Sequence, residues 1–340
     1  MDFLREGLHI WQKSSNFAVG NQRIYEQGIA RKKNMWIVLA FLSALCLGGY
    51  DISKKVALRD NKVVDILTLS VLVSSSILLV PLFLSRLCPD LMTGTHFYVP
   101  QLDTRAHLLT LLKSAIVLSS WVFAYVSLKH LPLSVVSPLQ ATRPMWTLVG
   151  ALLIFGERLN AWQWTGVALA IGSIFLFSLS QRKAIHHIAH EEEGNRGYYV
   201  CLVLAILIGA GSGLYDKYLM RQYDHNAVQV YYTLYQAAMM LVVWAVMHRE
   251  DLANRRWPQI RWTPAIVLIS AFLVVSDNVY MLALRDPDSM IAVVSTIRRG
   301  GAVIGFAYGL IWLREDEVWK KVACMAGICA GLVCLAMGSV

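Results

Sequence analysis

Charge is scarce in this chain. Asp, Glu, Lys and Arg make up 16% of its 340 residues, against about 25% in soluble domains. Hydrophobic residues reach 56% and mean hydropathy is +0.51. The length alone would suggest two soluble domains, but the apolar runs are too long and too many for buried core helices. Catalytic signatures are missing as well. No Walker A loop, nucleophile elbow or HExxH pair occurs, which argues against an ATP-driven pump or a common hydrolase. The expectation is a chain with no catalytic residues and no cofactor.

Metal and nucleic-acid signals are equally thin. There is no Cys-x-x-Cys pair and no Cys/His ligand spacing. Cys46, Cys201, Cys324, Cys329 and Cys334 lie in apolar runs, where cysteine acts as a small hydrophobe. Cys88 stands in a loop with no loop partner. The run His186-His187-Ile188-Ala189-His190-Glu191-Glu192-Glu193 sits in a linker and reads as solvated charge rather than a metal site. No Lys/Arg cluster is interleaved with aromatics, so nucleic acid is not an expected partner. The net charge of +9 is spread over a tail and loops, as membrane-flanking charge is.

What remains is ten apolar runs. They cover approximately 36–58, 65–84, 108–129, 132–155, 161–180, 198–220, 226–247, 263–284, 288–312 and 319–339. About 20 apolar residues cross a hydrocarbon core as helix. Turns at His130–Pro132, Gly156–Asn160 and Asp286–Asp288 separate neighbours, with proline stopping a helix. Residues 1–34 carry Arg5, Lys13, Arg23, Arg31, Lys32 and Lys33 without an apolar h-region, so they read as a polar basic tail rather than a cleaved signal. That tail argues for cytoplasmic termini. The loops disagree, because those on the opposite side hold more Lys and Arg than those on the tail's side.

Two of the runs contain an arginine. A shift of 155 positions puts Tyr125 on Tyr280, Pro132 on Pro287, Ser134 on Ser289, Arg143 on Arg298 and Gly150 on Gly305. A weaker match at a shift of 163 puts Gly48 on Gly211 and Lys54 on Lys217. Each half then has five spans, and an odd number forces the halves into opposite orientations. The expected fold is an all-α membrane protein of about ten transmembrane helices as two inverted five-helix repeats. The divisions are a tail at 1–34, a first repeat at 35–180, a linker at 181–197 and a second repeat at 198–340.

The run LPLSVVSPLQATRPMWTLVGALLIFGERLNAWQWTGVALAIGSIFLF (131–177) resembles the EamA repeat of the drug/metabolite transporter superfamily. The resemblance rests on the proline-containing start of the fourth span, Gly156-Glu157-Arg158-Leu159, and Trp164–Gly166. The second copy, 286–338, is similar but has Leu313-Arg314-Glu315 where Gly-Glu is expected. The resemblance implies the ten-helix fold and a transport function. It says little of substrate, because the superfamily carries amino acids, nucleotide sugars, drugs and other metabolites.

Arg143 and Arg298 fall near the centres of their runs, and a central arginine costs about 2.5–3.5 kcal/mol on insertion scales. Both are expected at a substrate site or gate, against the bland alternative of pinning helices through carbonyls or Asp277. Arg299 is about 100° around the helix from Arg298, so only one of them need face a cavity. Asp277 and Asn278 lie mid-run, and Asp51 well inside the first run. Either Asp is a candidate carrier of a coupling proton, with ion pairing to an arginine the stronger reading. Glu157 and Glu315 mark span ends and read as capping or cross-loop pairing. Trp121, Tyr125, Trp146, Tyr235 and Tyr280 are candidate apolar walls, Trp121 with Tyr125 and Arg143 with Trp146 at one-face spacing. Gly209–Gly213 and Gly300-Gly301 permit close approach or bending.

The expectation is therefore a multi-pass protein of the cytoplasmic (inner) membrane, a monomer or homodimer in the lipid bilayer. It would move a small anionic or zwitterionic metabolite by alternating access. A lipid-linked flippase is the alternative within that class. A membrane enzyme or non-transporting sensor is the alternative outside it, and neither a nucleophile–base pair nor a soluble domain supports it.

Overall fold

The computed structural model describes residues 35–59, 61–131, 136, 139–140, 142–181, 196–253, 260–311 and 318–339. The tail, the His/Glu run, Pro132, Ser134 and Glu315 lie outside them, and the side chain of Tyr125 is likewise not described. Every regular element among the described residues is helical. The long ones are α1 (Met35–Ala57), α2 (Val63–Leu87), α3 (Thr104–His130), α4 (Arg143–Ile154) and α5 (Ala161–Gln181), then α6 (Arg196–Met220), α7 (His225–Met247), α8 (Pro264–Arg285), α9 (Ile291–Arg299), α10 (Ala302–Ile311) and α11 (Val318–Ser339).

Local chemistry sets the ends. Asp103 caps α3 through the Ala106 N–H, and Asp224 caps α7 through the N–H groups of Asn226 and Ala227, each serving donors with no intrahelical acceptor. Asn160 and Gln163 cap α5 reciprocally, at 3.0 and 2.9 Å. Pro264 opens α8, where its missing N–H costs nothing. Gly156 turns the chain after α4 at a φ of 62°, a left-handed conformation that glycine adopts without a Cβ clash.

Among the described residues six helices, α1, α2, α3, α6, α7 and α8, are long and apolar enough to cross a membrane, and three shorter apolar helices accompany them at Arg143–Ile154, Ala161–Leu176 and Val322–Gly338. Two of the ten expected spans differ from simple rods. The run 288–312 is broken: α9 ends at Arg299, Gly300 and Gly301 turn, and α10 begins at Ala302. In the run 132–155 a turn at Thr142 precedes α4. Two consecutive glycines weaken a helix enough for tertiary contacts to decide its path.

The packing pairs helices across the two halves. α1 lies against α8, α3 against α6, α2 against α7, α4 against α9 and α5 against α11. Between apolar helices in lipid, close approach and hydrogen bonds drive association rather than hydrophobic burial. Serines supply the bonds. Ser43 and Ser276 exchange bonds between α1 and α8 at 2.9 and 3.0 Å. Ser120 donates to the Ala205 carbonyl across α3–α6 at 2.8 Å, and Ser114 to that of Tyr232 on α7 at 3.0 Å. At α5–α11, a Cβ on Gly166 would meet the Gly331 carbonyl at 2.7 Å, so the backbones touch only because both residues are glycine.

Candidate functional site

Arg143 is the first residue of α4. Its Nη2 donates to Ser120 Oγ on α3 at 2.8 Å and to the Ala205 carbonyl on α6 at 3.1 Å. Its guanidinium lies over Gly209, where any Cβ would fall inside it. Its Nε is buried with no hydrogen-bond partner among the described residues. Both acceptors are neutral, and no carboxylate among the described residues pairs with Arg143.

Arg298 ends in a different environment. Its Nη2 donates to Asp277 Oδ1 at 2.7 Å and to Ser276 Oγ at 3.3 Å, both on α8. Its guanidinium stacks over the Tyr280 ring at 4.0 Å, and Tyr280 itself is buried. The Arg298 charge is thus compensated by an ion pair and an aromatic face. Arg299 points elsewhere. It is exposed, and its side chain has no hydrogen bond or ion pair with a described residue. It lies within electrostatic range of Asp51, also exposed, and of Arg143.

A second charged pair adjoins this group. Lys113 on α3 and Asp216 on α6 form a buried salt bridge, with the Lys113 ammonium 4.4 Å from the centre of the Tyr232 ring. Asp216 is in electrostatic range of Asp277 and Arg298. The sequence reading passes over Lys113 and Asp216. The criterion that singles out Arg143, an ionisable residue deep in an apolar run, applies to both.

A third cluster closes one end of the bundle. Glu157, in the loop after α4, accepts from the N–H groups of Ile291 and Ala292 at 2.6 and 3.1 Å. It therefore caps α9 of the other half. Lys217 of α6 donates to Glu157 at 3.3 Å and to the Ser289 carbonyl. Among the described residues no three His, Cys, Asp or Glu side chains converge to hold a metal ion.

This polar core is walled by apolar helices. Residues 34–179 match the EamA-like transporter family. The matched segment is similar to a transporter family, and six helices among the described residues are long and apolar enough to cross a membrane. A solved structure described only as a crystal structure of a protein matches at TM-score 0.64 and 11% identity, over 88% of this chain and 95% of that one. At that identity the likeness speaks to the fold alone. No curated protein matches the chain significantly.

The bundle does not gather all the expected site residues in one place. Trp146 is half-exposed and lines an outward apolar groove with Met145, Val149, Val203 and Leu207. The long arginine side chain reaches back to α3 and α6, whereas the indole stays on the outer surface of α4. Trp121 lines another apolar groove, with Leu118, Val122 and Met240, away from the arginines. Tyr235 donates to or accepts from His107 at 2.8 Å. Asn278 donates to Asn226 and Gln229 of α7, both at 2.8 Å, and belongs to an amide ladder between α7 and α8. Tyr280, Asp277, Arg298, Arg299, Asp51 and Arg143 are the expected residues that the core brings together.

Proposed function

We propose that the protein is a secondary transporter that moves a small solute, anionic or zwitterionic, across the cytoplasmic membrane by alternating access. Two five-helix repeats of opposite orientation, 35–180 and 198–340, surround a site at mid-depth. Packing supports the repeats. Exchanging each helix for its counterpart turns α1–α8 into α6–α3, α2–α8 into α7–α3, and α1–α9 into α6–α4, and each of these contacts exists. That is the pattern a two-fold axis between the halves produces.

The single observation that carries the anionic part is Arg143. Among the described residues this guanidinium is held by only a hydroxyl and a carbonyl, with Nε unpartnered, which leaves charge and a donor for a carboxylate or phosphate. Guanidinium binds either bidentately, and lysine cannot reproduce that fork. In proteoliposomes, uptake of the preferred solute should fall at least about tenfold in Arg143→Lys, equal to about 1.4 kcal/mol. A preferred solute that is purely cationic and indifferent to Arg143→Ala would overturn the assignment.

One observation favours a second reading. An apolar groove of about 750 Å³ opens beside α2 and α8, lined by Ile77, Val80, Pro81, Phe97 and Val275, with Asn278 on its wall. Such a groove would suit the chain of a lipid-linked substrate. Scrambling of a fluorescent polyprenyl-phosphate lipid in vesicles, without transport of soluble anions, would select the flippase.

A further inference from the structure

α9 is buried almost all round. Ile291, Ala292, Val293, Val294, Thr296 and Ile297 are each 0–1% exposed. The exceptions are Ser295 and Arg298, both partly exposed, and Arg299, which is exposed and lies one turn after Ser295. A guanidinium halfway along a broken membrane helix does not face hydrocarbon, where its insertion is costly. Its exposure calls for a water-filled crevice between helices, which the labelling below tests. Two neighbours bound that crevice. α9 packs against both α1 and α4, and a Cβ on Gly301 would meet the Ala44 carbonyl at 2.5 Å and the Gly48 N at 3.1 Å. Asp51 lies one turn beyond Gly48 on α1, is exposed, and has no ion pair of 4.0 Å or less with a described residue. Arg143 opens α4 with its own charge uncompensated.

We infer that Arg299, rather than Arg298, joins Arg143 in gripping the anionic group of the solute, and that Asp51 takes a cationic group of the same solute. This rests on the transporter reading above. It narrows the solute to a small zwitterion. The arithmetic of partners decides between the two adjacent arginines. Arg298 is already committed to Asp277, Ser276 and the Tyr280 face, so a solute would have to displace an ion pair to reach it. Arg299 needs no such displacement. Asp51 likewise has no ion pair with a described residue, and the Lys54 ammonium lies 5.5 Å from the centre of the Tyr50 ring. A solute carrying one charge of each sign leaves no buried charge unmatched at either end. A simple anion would leave Asp51 facing a like charge.

Two measurements test this. In a cysteine-free background, R299C and I297C would be challenged in membranes with the water-soluble sulfonatoethyl methanethiosulfonate. R299C should be modified and I297C, on the buried face of the same helix, should not. Equal inertness of the two overturns the crevice. Purified wild type, R299Q and D51N would then be screened for thermal stabilisation. The probes are the common amino acids and betaines, with analogues of each lacking the amine or the carboxylate. The best zwitterion should stabilise wild type more than either of its singly charged analogues, and its apparent Kd should rise about tenfold or more in R299Q and in D51N. A best probe of one charge sign, or Kd values within twofold in both variants, sinks the inference. Transport of a solute that ignores R299Q refutes this assignment and leaves the transporter standing. The labelling pattern without transport of any probe does the reverse.

Discussion

Arg298 and Arg299 are adjacent in the chain and differ in nearly every contact, because one residue of helix rotates a side chain by about 100°. Arg298 is locked to Asp277. Removing one partner of such a pair leaves the other's charge poorly solvated, at a cost of about 3–5 kcal/mol. Asp277→Asn should therefore lower the Tm of the purified protein clearly, whatever it does to transport. Unchanged Tm with transport that no longer responds to pH would make Asp277 a proton carrier instead. Gly209 is the complementary case. Any side chain there enters the volume of the Arg143 guanidinium. Gly209→Ala should weaken solute binding as severely as Arg143→Lys, measured by ligand-induced thermal shift. The match of Arg143 to Arg298 and their central place in apolar runs are legible from spacing alone. The split of roles between Arg298 and Arg299 is not, because it depends on Tyr280 and Asp277 arriving from α8. Trp146 shows the same limit: the i, i+3 spacing from Arg143 is right, yet a flexible side chain reaches past the face its Cα occupies.

At the scale of elements, α9 is short and buried and depends on partners at both ends. Its N-terminus is capped by Glu157, a residue of the other half, and its C-terminus stops at Gly300-Gly301. A carboxylate at a helix N-terminus satisfies open N–H groups and the positive end of the dipole. Glu157→Gln keeps the shape but loses charge toward both α9 and Lys217. It should lower Tm and speed hydrogen exchange at Ile291 and Ala292 specifically; uniform exchange across the molecule would count against the cap. The sequence marks Glu157 as a span end that caps or pairs across a loop, without revealing which helix it serves, since that helix is 134 positions away.

Asp224 at the start of α7 makes a similar cap outside the membrane-spanning segment. Burial alone would raise its carboxyl; hydrogen bonding and charge from His225, the Ala227 N–H and Arg285 outweigh it and hold the pKa below the usual range. A depressed carboxylate stabilises above its unfolded pKa, and the contribution is lost as pH falls through the folded value. Asp224→Ala should thus cost about 1 kcal/mol at neutral pH. The difference from wild type should shrink only under acid conditions below the ordinary carboxylate range, as followed by Tm against pH.

At the scale of the molecule, the halves are interleaved rather than set side by side. Each of α1–α5 leans on a helix of the other half, so one half cannot rock without sliding along the other. The serine bonds and glycine contacts between them, Ser43–Ser276 and Gly166–Gly331 among them, are short-range and suited to such sliding. Hydrophobic runs and an internal match read directly from the sequence suffice to suggest this architecture. The path of the chain at Gly300-Gly301 is set by tertiary contacts, such as the close approach of Gly301 to the Ala44 carbonyl. The central claim is that a solute anion binds at Arg143 and is carried across. Counterflow in proteoliposomes loaded with a panel of metabolites, comparing wild type with Arg143→Lys, measures it most directly. The account predicts accumulation of a carboxylate- or phosphate-bearing solute in wild type and a loss of at least about tenfold in the variant. Equal counterflow in both, or counterflow of cations only, would contradict it.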